Sequence, residues 1–170
     1  TVSEIRSLLQ SEIVKVTGCT EPASVALAFL CARRHLSGPF DPASLRAQLL
    51  ASGGMLRNAS TAVVPVLNRR GLRAVAAAGL SSRSNTFDLF PGIDKDIAGV
   101  FLRRRVWLRV TRLSSKKGVF IKAVLTMPKE SVAVVIEGRH DEIRDISRNG
   151  VKLSRTRPQG PQRISMQDIF

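Results

Sequence analysis

The hydrophobic residues change period part-way along this chain, and that change limits the possible folds more than any other feature. Over residues 2–16 apolar side chains recur every three or four residues, and helical segments dominate to about residue 104; from 106 onward apolar side chains alternate with polar ones. The first spacing marks one face of a helix, the second one face of a strand. Val2, Ile5, Leu8, Leu9 and Ile13 predict an amphipathic helix over residues 2–16, stopped at Thr17-Gly18. Thr20-Glu21-Pro22 offers a hydroxyl cap, an acid and a first-turn proline for a second helix, apolar nearly all round and reaching about Leu36. Residues 42–51 are ambiguous: Asp41-Pro42 could cap a short helix, yet Leu45, Ala47 and Leu49 alternate as in a strand. Ser52-Gly53-Gly54 is a break, and residues 55–70, around Pro65, read as an irregular loop. Short helices are expected over 71–80 and from Asp94 to about Arg104.

Beyond them Val106, Leu108 and Val110 alternate with Trp107, Arg109 and Thr111. Further strands are expected over 119–125, 131–137, 142–147 and 151–154, the last two joined through the hairpin signal Asn149-Gly150. Helices first and an antiparallel β-meander later predict an α+β fold, with the N-terminal helices packed on the meander. At 170 residues this is one domain, over 1–154. Residues 155–170, with Arg157-Pro158-Gln159-Gly160-Pro161, read as a linker or tail.

Hydrophobic residues at 44% and charged residues at 24% are ordinary globular proportions. No apolar run approaches the roughly 18 residues needed to span a bilayer, so no membrane role is expected. Residues 1–6 lack both the basic-then-apolar order of a secretory signal and an initiator Met, which reads as a trimmed chain or an excised domain. Two cysteines are too few for a disulfide scaffold, so the expected setting is the reduced cytoplasm. The charge is less ordinary. Lys and Arg number 27 against 13 acids, a net +14, and the excess is concentrated in residues 101–170, which hold 16 basic and 6 acidic residues. Its densest run is Arg103-Arg104-Arg105-Val106-Trp107-Leu108-Arg109-Val110-Thr111-Arg112, followed by Lys116-Lys117. Such a stripe could bind nucleic acid. No zinc spacing, aromatic RNP-type run or helix-turn-helix accompanies it, so a solvated face, or one answering an acidic partner, is the preferred reading.

Cys19 stands immediately before a helix start, where unpaired N–H groups favour thiolate over thiol. A thiolate there is a nucleophile or a soft metal ligand; the plain alternative is a small buried residue in a tight turn. Cys31, inside Leu27-Ala28-Phe29-Leu30-Cys31-Ala32, reads as core. The two cysteines match no metal-binding spacing, so a metal at Cys19 needs ligands from elsewhere. His140, followed by Asp141-Glu142 at a strand end, is a candidate proton shuttle or an exposed turn histidine, and His35 reads as structural at a helix end.

Glu12-Ile13-Val14-Lys15-Val16-Thr17-Gly18-Cys19-Thr20-Glu21-Pro22-Ala23-Ser24-Val25-Ala26-Leu27-Ala28 resembles the opening of the L-cysteine desulfidase family, related to the iron–sulfur L-serine dehydratases. The resemblance continues in order. Ser52-Gly53-Gly54-Met55-Leu56-Arg57-Asn58 is similar to the family's Ser-Gly-Asn-x-x-Lys-Asn segment. Gly71-Leu72-Arg73-Ala74-Val75-Ala76-Ala77-Ala78-Gly79 is similar to its small-residue helix. Val119-Phe120-Ile121-Lys122-Ala123 and residues 134–150 follow, so that about residues 8–154 are covered.

The resemblance implies an α,β-elimination on L-cysteine or L-serine, giving pyruvate, ammonia, and sulfide or water. It implies an oxygen-sensitive [4Fe–4S] cluster held by three cysteines, with Cys19 as one ligand. It places Thr20, Glu21 and Asn58 along the substrate site, makes His140 the candidate for proton transfer or substrate contact, and favours strand over residues 42–51. Family members are well over twice this long, and their other cluster cysteines lie in a C-terminal half. The cluster is therefore expected only in the complete assembly and not in this chain alone, which should be inactive without that half or a split partner subunit. An oligomer is compatible with this reading. The family's glycine-rich stretch is here Arg57-Asn58-Ala59-Ser60-Thr61-Ala62-Val63-Val64-Pro65, and Arg57 replaces a Lys. Those departures support an alternative: a degenerate, non-catalytic homologue, kept as a binding or scaffold module with a basic face.

Overall fold

A computed structural model of the chain describes residues 19–84 and 88–154. The helix expected over 2–16 and the tail from 155 lie outside the described residues. Within them are helices α1 (Thr20–Arg34), α2 (Gly53–Thr61), α3 (Leu72–Ser81) and α4 (Lys95–Arg103). The strands are β1 (Arg46–Ala51), β2 (Val63–Val64), β3 (Arg69–Arg70), β4 (Leu108–Arg112), β5 (Phe120–Met127), β6 (Glu130–Glu137), β7 (Ile143–Arg148) and β8 (Val151–Ser154). Six strands form one sheet in the order β4-β1-β5-β6-β7-β8, while β2 and β3 pair separately. The fold is α+β, with helices packed on a mostly antiparallel sheet. The departure from a pure meander is β4, which runs parallel to β1 at the sheet edge, Leu49 opposite Val110.

The alternation expected from Val106 onward fails in the bend that precedes β4. Val106 is 87% exposed and Trp107 only 3%, because Trp107 turns inward to stack on Phe101 of α4, ring centroids 4.8 Å apart. The bend frees Trp107 from the strand's alternation, so its ring can join the helical layer. The ambiguous segment resolves as β1, with Ala47, Leu49 and Ala51 buried and Gln48 and Leu50 on the opposite face. The loop expected over 55–70 is corrected. Its first part belongs to α2, buried through Met55 and Ala59; the rest forms β2, the one-turn 3₁₀ segment Pro65–Leu67, and β3. Ala59 carries the side chain that a glycine would lack, and that methyl fills the core.

Helix α1 lies on β5 and β6 and is itself covered by α3. Gly79 of α3 makes this possible: a Cβ there would collide with the backbone of Ala26 in α1. The carboxy end of α1 is tied to the β5–β6 hairpin, where Glu130 accepts from the N–H groups of Ser37 (3.0 and 2.9 Å) and Gly38 (3.1 Å). Arg148 of β7 donates to the His35 carbonyl at that end. The amino end of α1 therefore emerges at the opposite end of the sheet, where β1 runs into α2 and β6 turns toward β7.

Candidate functional site

The corner where α1 begins gathers four of the residues singled out in the sequence. Glu21, in the first turn of α1, is its hub. One carboxylate oxygen accepts from Asn58 Nδ2 of α2 at 3.0 Å. The other accepts from the Cys19 thiol and from the Thr20 hydroxyl, each at 3.3 Å. The 37-residue separation of Glu21 and Asn58 is bridged because Ser52, at the end of β1, is fastened to the β4–β5 turn. Its N–H donates to Phe120 O at 3.1 Å and its hydroxyl to Gly118 O at 2.6 Å, which sends α2 back across the sheet end toward α1.

Two expectations are corrected here. Thr20 is not the cap of α1 but its first helical residue; Cys19 holds the cap position and makes no side-chain capping bond. With a carboxylate in reach, the Thr20 hydroxyl donates to it instead of accepting from the helix. Nor is Cys19 held as thiolate. Glu21 accepts the S–H proton and adds like charge, and these effects outweigh the first-turn N–H groups, so the thiol stays protonated above its ordinary value. The Glu21 carboxyl is pulled below the usual range by its own backbone N–H and then by Asn58. Cys19 is exposed.

His140 is half-buried on the β6–β7 connection, at the same end of the sheet. The hydrogen bonds that join Cys19, Thr20, Glu21 and Asn58 do not extend to it. Cys31 is core: it is buried, and burial pushes its thiol up to about 11. A [4Fe–4S] cluster needs several thiolates converging on one point. The described residues offer one accessible thiol and no grouping of three His, Cys, Asp or Glu side chains. By themselves they do not fit that group.

The basic stripe is taken apart by the fold. Arg104 is spent on structure, donating to the carbonyls of Pro42 (2.6 Å) and Leu45 (2.8 Å). Arg109 shares the outer sheet face with Gln48, whereas Arg112 crosses Gly53 at the start of α2. Lys116 pairs with Glu137 at 2.8 Å. Arg103 faces a groove on the far side of α4 that the sequence did not single out. Its other cations, Arg69, Arg70 and Lys95, are scattered along the chain, and only the eight-residue spacing of Lys95 and Arg103 on one helix face hinted at it.

No helix among the described residues is long and apolar enough to cross a membrane. No protein-family model matches the chain, and no solved structure matches it either. Curated relatives do. A UPF0597 protein of Nitratidesulfovibrio vulgaris is 28% identical over 154 residues, covering 86% of this chain and 33% of that protein. A UPF0597 protein of Alkaliphilus oremlandii is 30% identical over 149 residues, 84% of this chain and 33% of that one. A UPF0597 protein of Dichelobacter nodosus is 38% identical over 76 residues, 45% of this chain and 17% of its own length. That name states no activity. The chain thus spans about a third of the length of the first two relatives and is similar to them over most of its own.

Proposed function

We propose that this chain is the N-terminal part of a larger lyase, similar to L-cysteine desulfidases and L-serine dehydratases, that eliminates sulfide or water from an amino acid. The observation that carries the reading is the union of Cys19, Thr20, Glu21 and Asn58 in one hydrogen-bonded set drawn from two elements. Glu21, ionised well into the acid range, is a poor proton acceptor and a good partner for a substrate ammonium group. Asn58 fixes its orientation. The first-turn N–H groups of α1 favour an anion beside it, such as a substrate carboxylate. We assign exchange of the substrate's α-proton to His140, which lies at the same end of the sheet. Loss of that proton and of the β-substituent leaves an aminoacrylate, which tautomerises to an imine and takes up water to give pyruvate and ammonia.

The test is pyruvate release from L-cysteine and L-serine by the complete assembly, prepared anaerobically with iron and sulfide. Wild type should turn over one or both, and Cys19→Ala, Glu21→Gln and Asn58→Ala should each lose activity. A wild-type assembly that binds iron yet forms no pyruvate overturns the reading. One observation favours the alternative of a non-catalytic binding module: two surface hollows rimmed by Arg69, Arg70, Lys95 and Arg103 are basic and include no residue of the Cys19 corner.

A further inference from the structure

A groove of about 260 Å³ separates α4 from the 3₁₀ segment Pro65–Leu67 and β3. Its floor is apolar, formed by Val66, Leu67 and Leu102, all half-buried. Its rims are cationic: Lys95 and Arg103 project from one face of α4, and Arg69 from the opposite wall. A second hollow of about 190 Å³ continues it through Arg69 to Asn68, Arg70 and Val63. Local geometry holds it open. Asn68 adopts a left-handed conformation, φ 48°, which turns the chain sharply between the 3₁₀ segment and β3. Gly99 has no side chain to fill the wall, and the Arg103 guanidinium lies across it, 3.1 Å from where a Cβ would stand.

No acidic side chain lines either hollow. None of Arg69, Arg70, Lys95 and Arg103 has an ion-pair partner among the described residues. Four like charges around one depression repel one another until an anion enters. The apolar floor and the lack of aromatic side chains argue against single-stranded nucleic acid, which stacks its bases on aromatic rings. A bare anion would leave Leu67 and Leu102 uncovered. An extended peptide with both acidic and apolar residues satisfies rim and floor together.

We propose that the groove between α4 and β3 docks an acidic peptide segment of a partner protein, its carboxylates on Arg69, Arg70, Lys95 and Arg103 and an apolar side chain on Leu67 and Leu102. The experiment is fluorescence anisotropy of the chain with a short labelled peptide of glutamates interrupted by leucines, at physiological ionic strength. Binding is expected to weaken about tenfold or more in the double variant Arg69→Glu, Arg103→Glu. It is expected to persist in Arg46→Glu and Lys117→Glu, which alter exposed cations elsewhere. All four positions are exposed, so circular dichroism should show every variant folded. Equal binding of a serine-for-leucine peptide or of an oligothymidylate would reduce the effect to general polyanion attraction and overturn the proposal. So would no binding, or equal losses in the control variants.

Discussion

Cys19 and Glu21 show how two neighbours in sequence set one another's chemistry. A cysteine before a helix is expected to be acidic, and here the carboxylate two residues on reverses the sign. Alkylation of the native protein by iodoacetamide should label Cys19 but not buried Cys31, with a rate that rises only above the ordinary thiol range. Glu21→Gln should move that rise to lower pH; an unchanged profile would show that Glu21 does not control the thiol. The segment around Cys19 was legible as a helix start, and Glu21 and Asn58 were candidate site residues. The hydrogen bond between those two was not legible, because it depends on how β1 delivers α2, a tertiary matter. Trp107 was misplaced for a similar reason. Alternation does not show where a strand begins, and Trp107 lies in the bend before β4, free to turn toward Phe101. Trp107→Ala should cost about 3–5 kcal/mol in urea unfolding. Trp107→Phe should cost much less, since the buried indole N–H has no partner to lose.

Between elements, the close contact of α1 and α3 is the tightest test of the fold. Gly79→Ala must force a methyl against the Ala26 backbone, and the helices have to separate to admit it. A loss of about 1–3 kcal/mol is expected, read from the denaturant midpoint. A neutral result would mean that α3 does not seat against α1 as described. Helices and strands with a clear period were legible from the sequence, among them α1, α3, α4 and the β5–β8 run. The hairpin at Asn149-Gly150 was too, and both residues take positive φ, 50° and 80°. Helix α2 was not, since two glycines at its start and a Ser-Thr pair at its end argue against a helix on propensity alone. It forms because Met55 and Ala59, one turn apart, are buried together.

For the whole molecule, acid is the informative perturbation. Glu21, Asp41, Asp94 and Glu130 all have folded-state pKa values below the ordinary carboxylate range, each held there first by a backbone N–H. The unfolded chain therefore takes up protons before the folded one does as pH falls. Their contribution is complete at neutral pH and is lost as pH drops through the depressed values. The thermal midpoint should fall steadily across that acid window, and a flat profile would contradict it. The parallel pairing of β1 with β4 has a consequence for synthesis. β1 leaves the ribosome well before either of its neighbours, β4 or β5. At about 5–20 residues per second, the stretch from Ala51 to Leu108 takes roughly three to ten seconds to be made. For that interval Ala47, Leu49 and Ala51 form a nascent apolar row with no strand beside it, the stage at which the growing polypeptide most needs a chaperone's shelter.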